Sequence, residues 1–227
     1  MRRLGRLASL ACLAFLAAWV ALLARPAIDR IRRSLRTSSA PGVGVYDLAA
    51  SVFLGGYYDD VAADGAAALA DTGTASILEI GPGPGHLAER LLELLPDVRW
   101  TGLDIDPAML DAARGRLERA GGVDRASFVE GDVVALPFDD GSFDLVLSSF
   151  SAHHWPDAVA GFGEIRRVLR PGGTALVYDL PETWGRTETG SRGIGAAGAA
   201  FAEPRVGRMR GFGPLTLVSR LELRRPA

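Results

Sequence analysis

Apolar residues recur along the chain in two alternating rhythms. From Ala75 onward, short, largely apolar runs are interleaved with longer stretches of helical spacing. Ser76–Ile80, Val98–Leu103, Ala126–Val129, Phe143–Ser148 and Thr174–Tyr178 read as buried strands. Between them, His86–Leu95 has helical spacing and stops at Pro96. Pro107–Ala120 carries proline in its first turn and Gly121-Gly122 after its end, and Ala158–Leu169 is halted by Pro171-Gly172-Gly173. Strands alternating with helices of this length predict a parallel sheet built from right-handed crossovers. The tail changes rhythm: Val206–Arg210 and Leu215–Leu223 alternate around Gly211–Pro214 and predict a terminal antiparallel hairpin. Upstream, Val45–Phe53 and Tyr57–Ala70 read as two helices separated by Gly55-Gly56, after a Ser/Pro/Gly-containing linker from Thr37 to Gly44.

The first apolar run is different in kind. Leu7 to Ala24 is uncharged over 18 residues and, as a helix, would span about 27 Å, close to the roughly 30 Å hydrocarbon core of a bilayer. Arg2, Arg3 and Arg6 precede it; Arg25, Arg30, Arg32, Arg33 and Arg36 follow it. The heavier basic flank is C-terminal, so the expectation is a retained single-pass anchor, membrane contact through residues 7–24, and the rest of the chain on the cytoplasmic side. A cleaved signal peptide and a buried core helix are the alternatives. The division that follows is an anchor with its basic flank over 1–36, linker and lid helices over 37–74, and the main domain over 75–227.

Composition narrows the function classes. The net charge of −2 gives no support for a nucleic-acid partner. A single cysteine, Cys12, excludes an intrachain disulfide and a cysteine-based zinc site, and three histidines leave little material for any metal site. All 25 basic residues are arginine.

Chemistry concentrates after the strands. Glu79-Ile-Gly81-Pro-Gly83-Pro-Gly85 joins a strand to a helix, where glycines allow a ligand close to backbone and the helix start offers free N–H donors. Read from Gly83, the loop also passes a loose dinucleotide fingerprint, Gly83-x-Gly85-x-x-Ala88, so the glycines alone fit a nicotinamide enzyme as well as a nucleoside-binding one. Asp104 ends the second strand, where a carboxylate can accept from both ribose hydroxyls. Gly131-Asp132 follows the third strand, and Leu169-Arg170-Pro171-Gly172-Gly173 precedes the fifth.

Taken together, these four motifs resemble the class I, Rossmann-like S-adenosylmethionine-dependent methyltransferases, in the group acting mostly on small molecules. The resemblance covers about residues 45–180. It implies an α/β fold: a doubly wound seven-stranded sheet, mostly parallel with a C-terminal antiparallel hairpin, here preceded by a single transmembrane helix. It implies S-adenosyl-L-methionine as cofactor and a small-molecule methyl acceptor. By position, Glu79 matches the acid that reaches the methionine amino group, and Gly81, Gly83 and Gly85 match the loop beneath methionine and ribose. Asp104 matches the ribose-binding acid and Ile105 the residue packing on adenine. Asp132 matches the acceptor of the adenine amino group, with Val133 beside the ring. Ser148 to Ser151 follow the fourth strand, where the sulfonium methyl points.

His153 and His154 resemble a stretch common in this family and are candidates for a general base, for pocket wall, or only for the start of the next helix. Asp179 is a candidate for the acceptor site. No metal is expected. A nicotinamide-dependent oxidoreductase and a non-catalytic S-adenosylmethionine-binding protein are the rival readings. The acceptor and the oligomeric state are not legible.

Overall fold

The computed structural model describes residues 54–70, 72–180, 195–201, 203–210 and 217–227. Within them, strands β1 (Ser76–Ile80), β2 (Arg99–Asp104), β3 (Ala126–Glu130), β4 (Phe143–Ser149), β5 (Leu169–Asp179), β6 (Arg205–Arg210) and β7 (Leu217–Arg224) form one sheet in the order β3-β2-β1-β4-β5-β7-β6. Neighbours from β3 to β5 are parallel, whereas β7 pairs antiparallel with both β5 and β6. The expected seven-stranded sheet with a terminal antiparallel hairpin is therefore present. The chain direction across the sheet reverses between β1 and β4. That switch point opens a crevice beyond the carboxyl ends of the strands.

Among the described residues, helices α1 (Gly55–Ala68), α2 (His86–Leu94), α3 (Pro107–Ala120) and α4 (Ala158–Val168) flank the sheet. Their ends follow local chemistry. Asp106 caps α3 by accepting from the Ala108 N–H at 2.9 Å, and Gly121 closes it with φ of 78°. Asp157 caps α4 by accepting from the N–H groups of Val159 and Ala160. Gly55-Gly56 begin α1 rather than standing outside it. Further along α1, Gly65 lets the helix settle on its neighbours: a Cβ there would lie 3.3 Å from Leu91 of α2 and 3.5 Å from Leu145 of β4. On the other face, Phe162, Ile165 and Val168 of α4 join Leu78, Val146, Val177 and Leu221 of the sheet in one buried cluster. A helical segment over 195–200 adds Ala196 and Ala197 to it.

One strand begins earlier than its pattern predicts. β5 starts at Leu169, and Pro171–Gly173 bulges between the Phe143↔Leu169 and Leu145↔Thr174 pairs. The bulge is held from the far side, where the Gly172 N–H donates to the Arg225 carbonyl at 3.0 Å and the Arg225 N–H to Gly173 at 2.9 Å. Among the described residues no helix is long and apolar enough to cross a membrane. The anchor expected over residues 7–24 and the helix expected over Val45–Phe53 lie outside the described residues.

Candidate active site

The site grows out of the β1–α2 turn. Gly81, Gly83 and Gly85 all take positive φ, at 68°, 52° and 81°. At Gly81 glycine is required twice over, because a Cβ would also fall 2.3 Å from the Ser151 hydroxyl oxygen. At Gly85 a Cβ would lie 3.0 Å from the Ala113 backbone, so this glycine lets α2 start against α3. Arg116 of α3 fastens the turn. Its Nε donates to the Pro84 carbonyl at 2.8 Å, its Nη1 to Glu89 at 2.9 Å, and its Nη2 lies 3.2 Å from His86 Nε2. Tyr58 of α1 stacks on the His86 ring at 5.6 Å.

Beside this turn lies a cleft of about 360 Å³, within the usual range for ligand sites. Its floor is Ile80 and Gly81; one side is Leu103, Asp104 and Ile105, another is Gly131, Asp132 and Val133, and the last is Ser151, His154, Trp155 and Pro156. The Asp104 carboxylate accepts from the N–H groups of Gly83 at 3.3 Å and Asp106 at 3.0 Å. Burial raises its pKa, and those backbone donors oppose the rise. Ile105 is 70% exposed, an isolated apolar side chain at the rim, while Val133 in the same cleft is buried. Asp132 accepts from the Val134 N–H at 3.2 Å.

Six of the residues singled out from the sequence do not line this cleft: Glu79, Gly83, Gly85, Ser148, His153 and Asp179. Glu79 is buried beneath it, and its carboxyl accepts from the Trp100 indole N–H at 2.9 Å. Gly102 makes that bond possible, since a Cβ there would meet the indole at 2.2 Å. Burial pushes the Glu79 carboxyl up to about 8, aided by the charge of Asp104 and opposed by the indole hydrogen bond. Ser148 is wholly buried, and its hydroxyl has no partner among the described residues.

His153 does not line the cleft, although its ring centre lies 3.9 Å from that of His154. Its ring Nδ1 lies 2.8 Å from Asp179, whereas His154 faces the cleft. Phe150 has φ of 51°, rare for a residue with a side chain. Its N–H donates to the Tyr178 carbonyl at 2.9 Å, where the chain leaves β4 and brings Ser151 over Gly81. Sequence reasoning did not find the parts played by Arg116, Trp100 and Phe150. No local motif marks them, since each acts through a distant partner or a backbone angle.

Known proteins show the same elements. Residues 77–173 match the family described as "Methyltransferase domain". A demethylmenaquinone methyltransferase of Thermus thermophilus is 41% identical over 105 residues, covering 46% of this chain and 47% of that protein. A fatty-acid O-methyltransferase of Mycolicibacterium smegmatis is 39% identical over 126 residues, covering 53% of this chain and 44% of the other. A phthiotriol/phenolphthiotriol dimycocerosates methyltransferase of Mycobacterium tuberculosis is 40% identical over 110 residues, covering 48% and 39%. The chain thus spans about half the length of the curated relatives it matches. Among solved structures, a putative S-adenosyl-L-methionine-dependent methyltransferase of Methanococcus maripaludis superposes with a TM-score of 0.68 at 19% identity, covering 82% of this chain and 93% of its own, a likeness of fold. Residues 77–173 therefore match a methyltransferase domain, and the sheet around them has the fold of that S-adenosyl-L-methionine-dependent structure.

Proposed function

We propose that this chain transfers a methyl group from S-adenosylmethionine to a small, lipophilic acceptor, with the domain held at the cytoplasmic face of a membrane by residues 7–24. One observation carries the cofactor part of the reading: a cleft at the β1/β4 switch point lined by two carboxylates, Asp104 and Asp132, together with an exposed Ile105 and a buried Val133. That pair of hydrogen-bond acceptors suits a nucleoside. In this reading Asp104 would accept from ribose hydroxyls and Asp132 from an adenine amino group, with Ile105 and Val133 supplying apolar contact to the ring. The glycine turn leaves room for a ligand against backbone. The acceptor part is supported by the relatives, whose names specify demethylmenaquinone, a fatty acid and phthiotriol dimycocerosates.

The bound cofactor supplies an already activated methyl group on a sulfonium. The chain's contribution is then to align the acceptor with that methyl and keep water out. Trp155 and Pro156 line the cleft next to His154 and add apolar surface to it. Replacing Asp104 with alanine tests the cofactor placement: S-adenosylmethionine affinity should fall by about 1–3 kcal/mol, roughly five- to 150-fold, with the fold intact by circular dichroism. Unchanged affinity would contradict the placement. For the membrane part, the chain should sediment with membranes and resist a high-salt wash. Its recovery in the soluble fraction would count against an anchor.

A further inference from the structure

Charge is divided unevenly between the body of the domain and its terminal hairpin. Residues 54–180 carry nine arginines against 21 acids, a net −12, whereas residues 205–227 carry six arginines against one acid, a net +5. The hairpin arginines differ in what they meet. Arg220 pairs with Asp64 at 3.2 Å and with Glu222 at 3.1 Å, Arg224 pairs with Glu222 at 3.3 Å, and Arg225 is engaged by the β5 bulge and the end of α4. On β6, by contrast, Arg205 and Arg208 are exposed and form no ion pair among the described residues. β6 is the last strand of the sheet and pairs with β7 alone, so its outer edge is open. Val206 and Arg208 stand opposite Leu221 and Ser219, on the face that packs under α4, while Arg205 stands opposite Glu222 on the other face. Arginine thus flanks the edge from both faces, with Gly207 and a 48% exposed Val206 between.

Register ties this edge to the cleft. Val206 lies in one row with Leu221, Val177, Ser148 and Ile80, and Ile80 is part of the cleft floor. Arg208 is level with Ser219 and with Asp179 at the carboxyl end of β5. Because β7 is antiparallel to both β5 and β6, β6 runs in the direction of the parallel strands, and its Arg210 end is on the side where the cleft opens.

We propose that the outer edge of β6 is a docking strip for the anionic headgroups of a bilayer, holding the domain edge-on with its cleft level with the strip. This extends the membrane part of the reading above and rests on it for a bilayer within reach. Charge on an edge strand also blocks sheet-to-sheet pairing, but either sign does that. In a domain whose body is so acidic, positive sign confined to the hairpin points instead to an anionic partner. Edge-on contact suits a plane of headgroups: guanidinium groups meet phosphates, and Val206 meets the apolar boundary beneath them. The two hairpin strands keep the rest of the sheet roughly 10 Å back, about one Debye length at physiological salt. A flexible polyanion such as RNA, spreading past the edge, would meet the acidic body.

The test uses the full chain with vesicles of phosphatidylcholine alone and of phosphatidylcholine mixed with phosphatidylglycerol, following hydrogen exchange at β6 and at β3, the opposite edge of the sheet. β6 amides should exchange at least about fivefold more slowly on the anionic vesicles than on the neutral ones, the factor a single surface arginine contributes. High salt should remove the difference, and β3 should show none. Arg205→Gln/Arg208→Gln should lose the slowing, whereas Arg99→Gln/Arg166→Gln, which removes two exposed arginines outside the hairpin, should keep it. Equal β6 exchange on the two vesicle types, slowing that survives high salt or the β6 double variant, or equal slowing of β3 would each overturn the docking strip. Tighter binding to a single-stranded RNA oligomer than to the anionic vesicles would overturn it in favour of a nucleic acid. The wild-type comparison between the two lipids decides even where the double variant fails to fold. Sedimentation with the neutral vesicles is a separate readout: its absence would refute the anchor over residues 7–24, and the β6 slowing on anionic vesicles would still be judged by itself.

Discussion

Gly81 shows how much one residue decides. Its φ of 68° and the Ser151 hydroxyl 2.3 Å from where a Cβ would stand make alanine there both strained and clashing. Gly81→Ala should cost about 1–3 kcal/mol of stability, read by urea unfolding, and should abolish saturable S-adenosylmethionine binding. A variant of wild-type stability and affinity would show the turn to be looser than its geometry. Glu79 sets a second expectation, through pH. Its carboxyl is pushed from the ordinary 4.5 to about 8 in the folded chain. Between those values the folded state holds a proton the unfolded chain has released, so stability should fall as pH rises through that window, by at most about 1.4 kcal/mol per unit. Glu79→Gln should flatten that slope in unfolding measurements between about pH 5 and about pH 8. Equal slopes in the two proteins would contradict a proton on Glu79. Gly81, Asp104 and Asp132 were legible in the sequence because each sits in a contiguous motif after a strand. The Trp100–Glu79 and His153–Asp179 bonds were not, because each joins residues more than 20 positions apart through side-chain directions that periodicity does not encode.

Among the elements, strands and helices followed from hydrophobic rhythm, and their ends from caps such as Asp106 and Gly121. The start of β5 did not. Pro171-Gly172-Gly173 reads as a break, yet it lies within the strand because Arg225, over fifty residues later, pairs with it. The Arg225 guanidinium also donates to the carbonyls of Arg166 at 3.2 Å and Arg167 at 3.0 Å, at the C-terminal end of α4, where a cation meets the negative end of the helix dipole. Arg225→Ala should therefore destabilise the domain by about 1–3 kcal/mol and lower its melting temperature by several degrees, with cofactor affinity little changed. A melting temperature equal to wild type would mean the C-terminal residues do not hold the β5 bulge and α4 together.

At the scale of the molecule, five strands interleaved with three helices and a terminal hairpin predicted the sheet, and the structure shows its last strand, β7, inserted antiparallel between β5 and β6. The same glycine turn that suggests S-adenosylmethionine also passes a loose nicotinamide fingerprint, so cofactor choice is where the account is most exposed. The deciding measurement is a calorimetric titration of the full chain, and of Asp104→Ala beside it, with S-adenosylmethionine, S-adenosylhomocysteine and NAD. The account predicts saturable binding of the first two, weakened in the variant, and none of NAD. Binding of NAD alone would contradict it and return Gly83-x-Gly85-x-x-Ala88 to the reading of a nicotinamide enzyme.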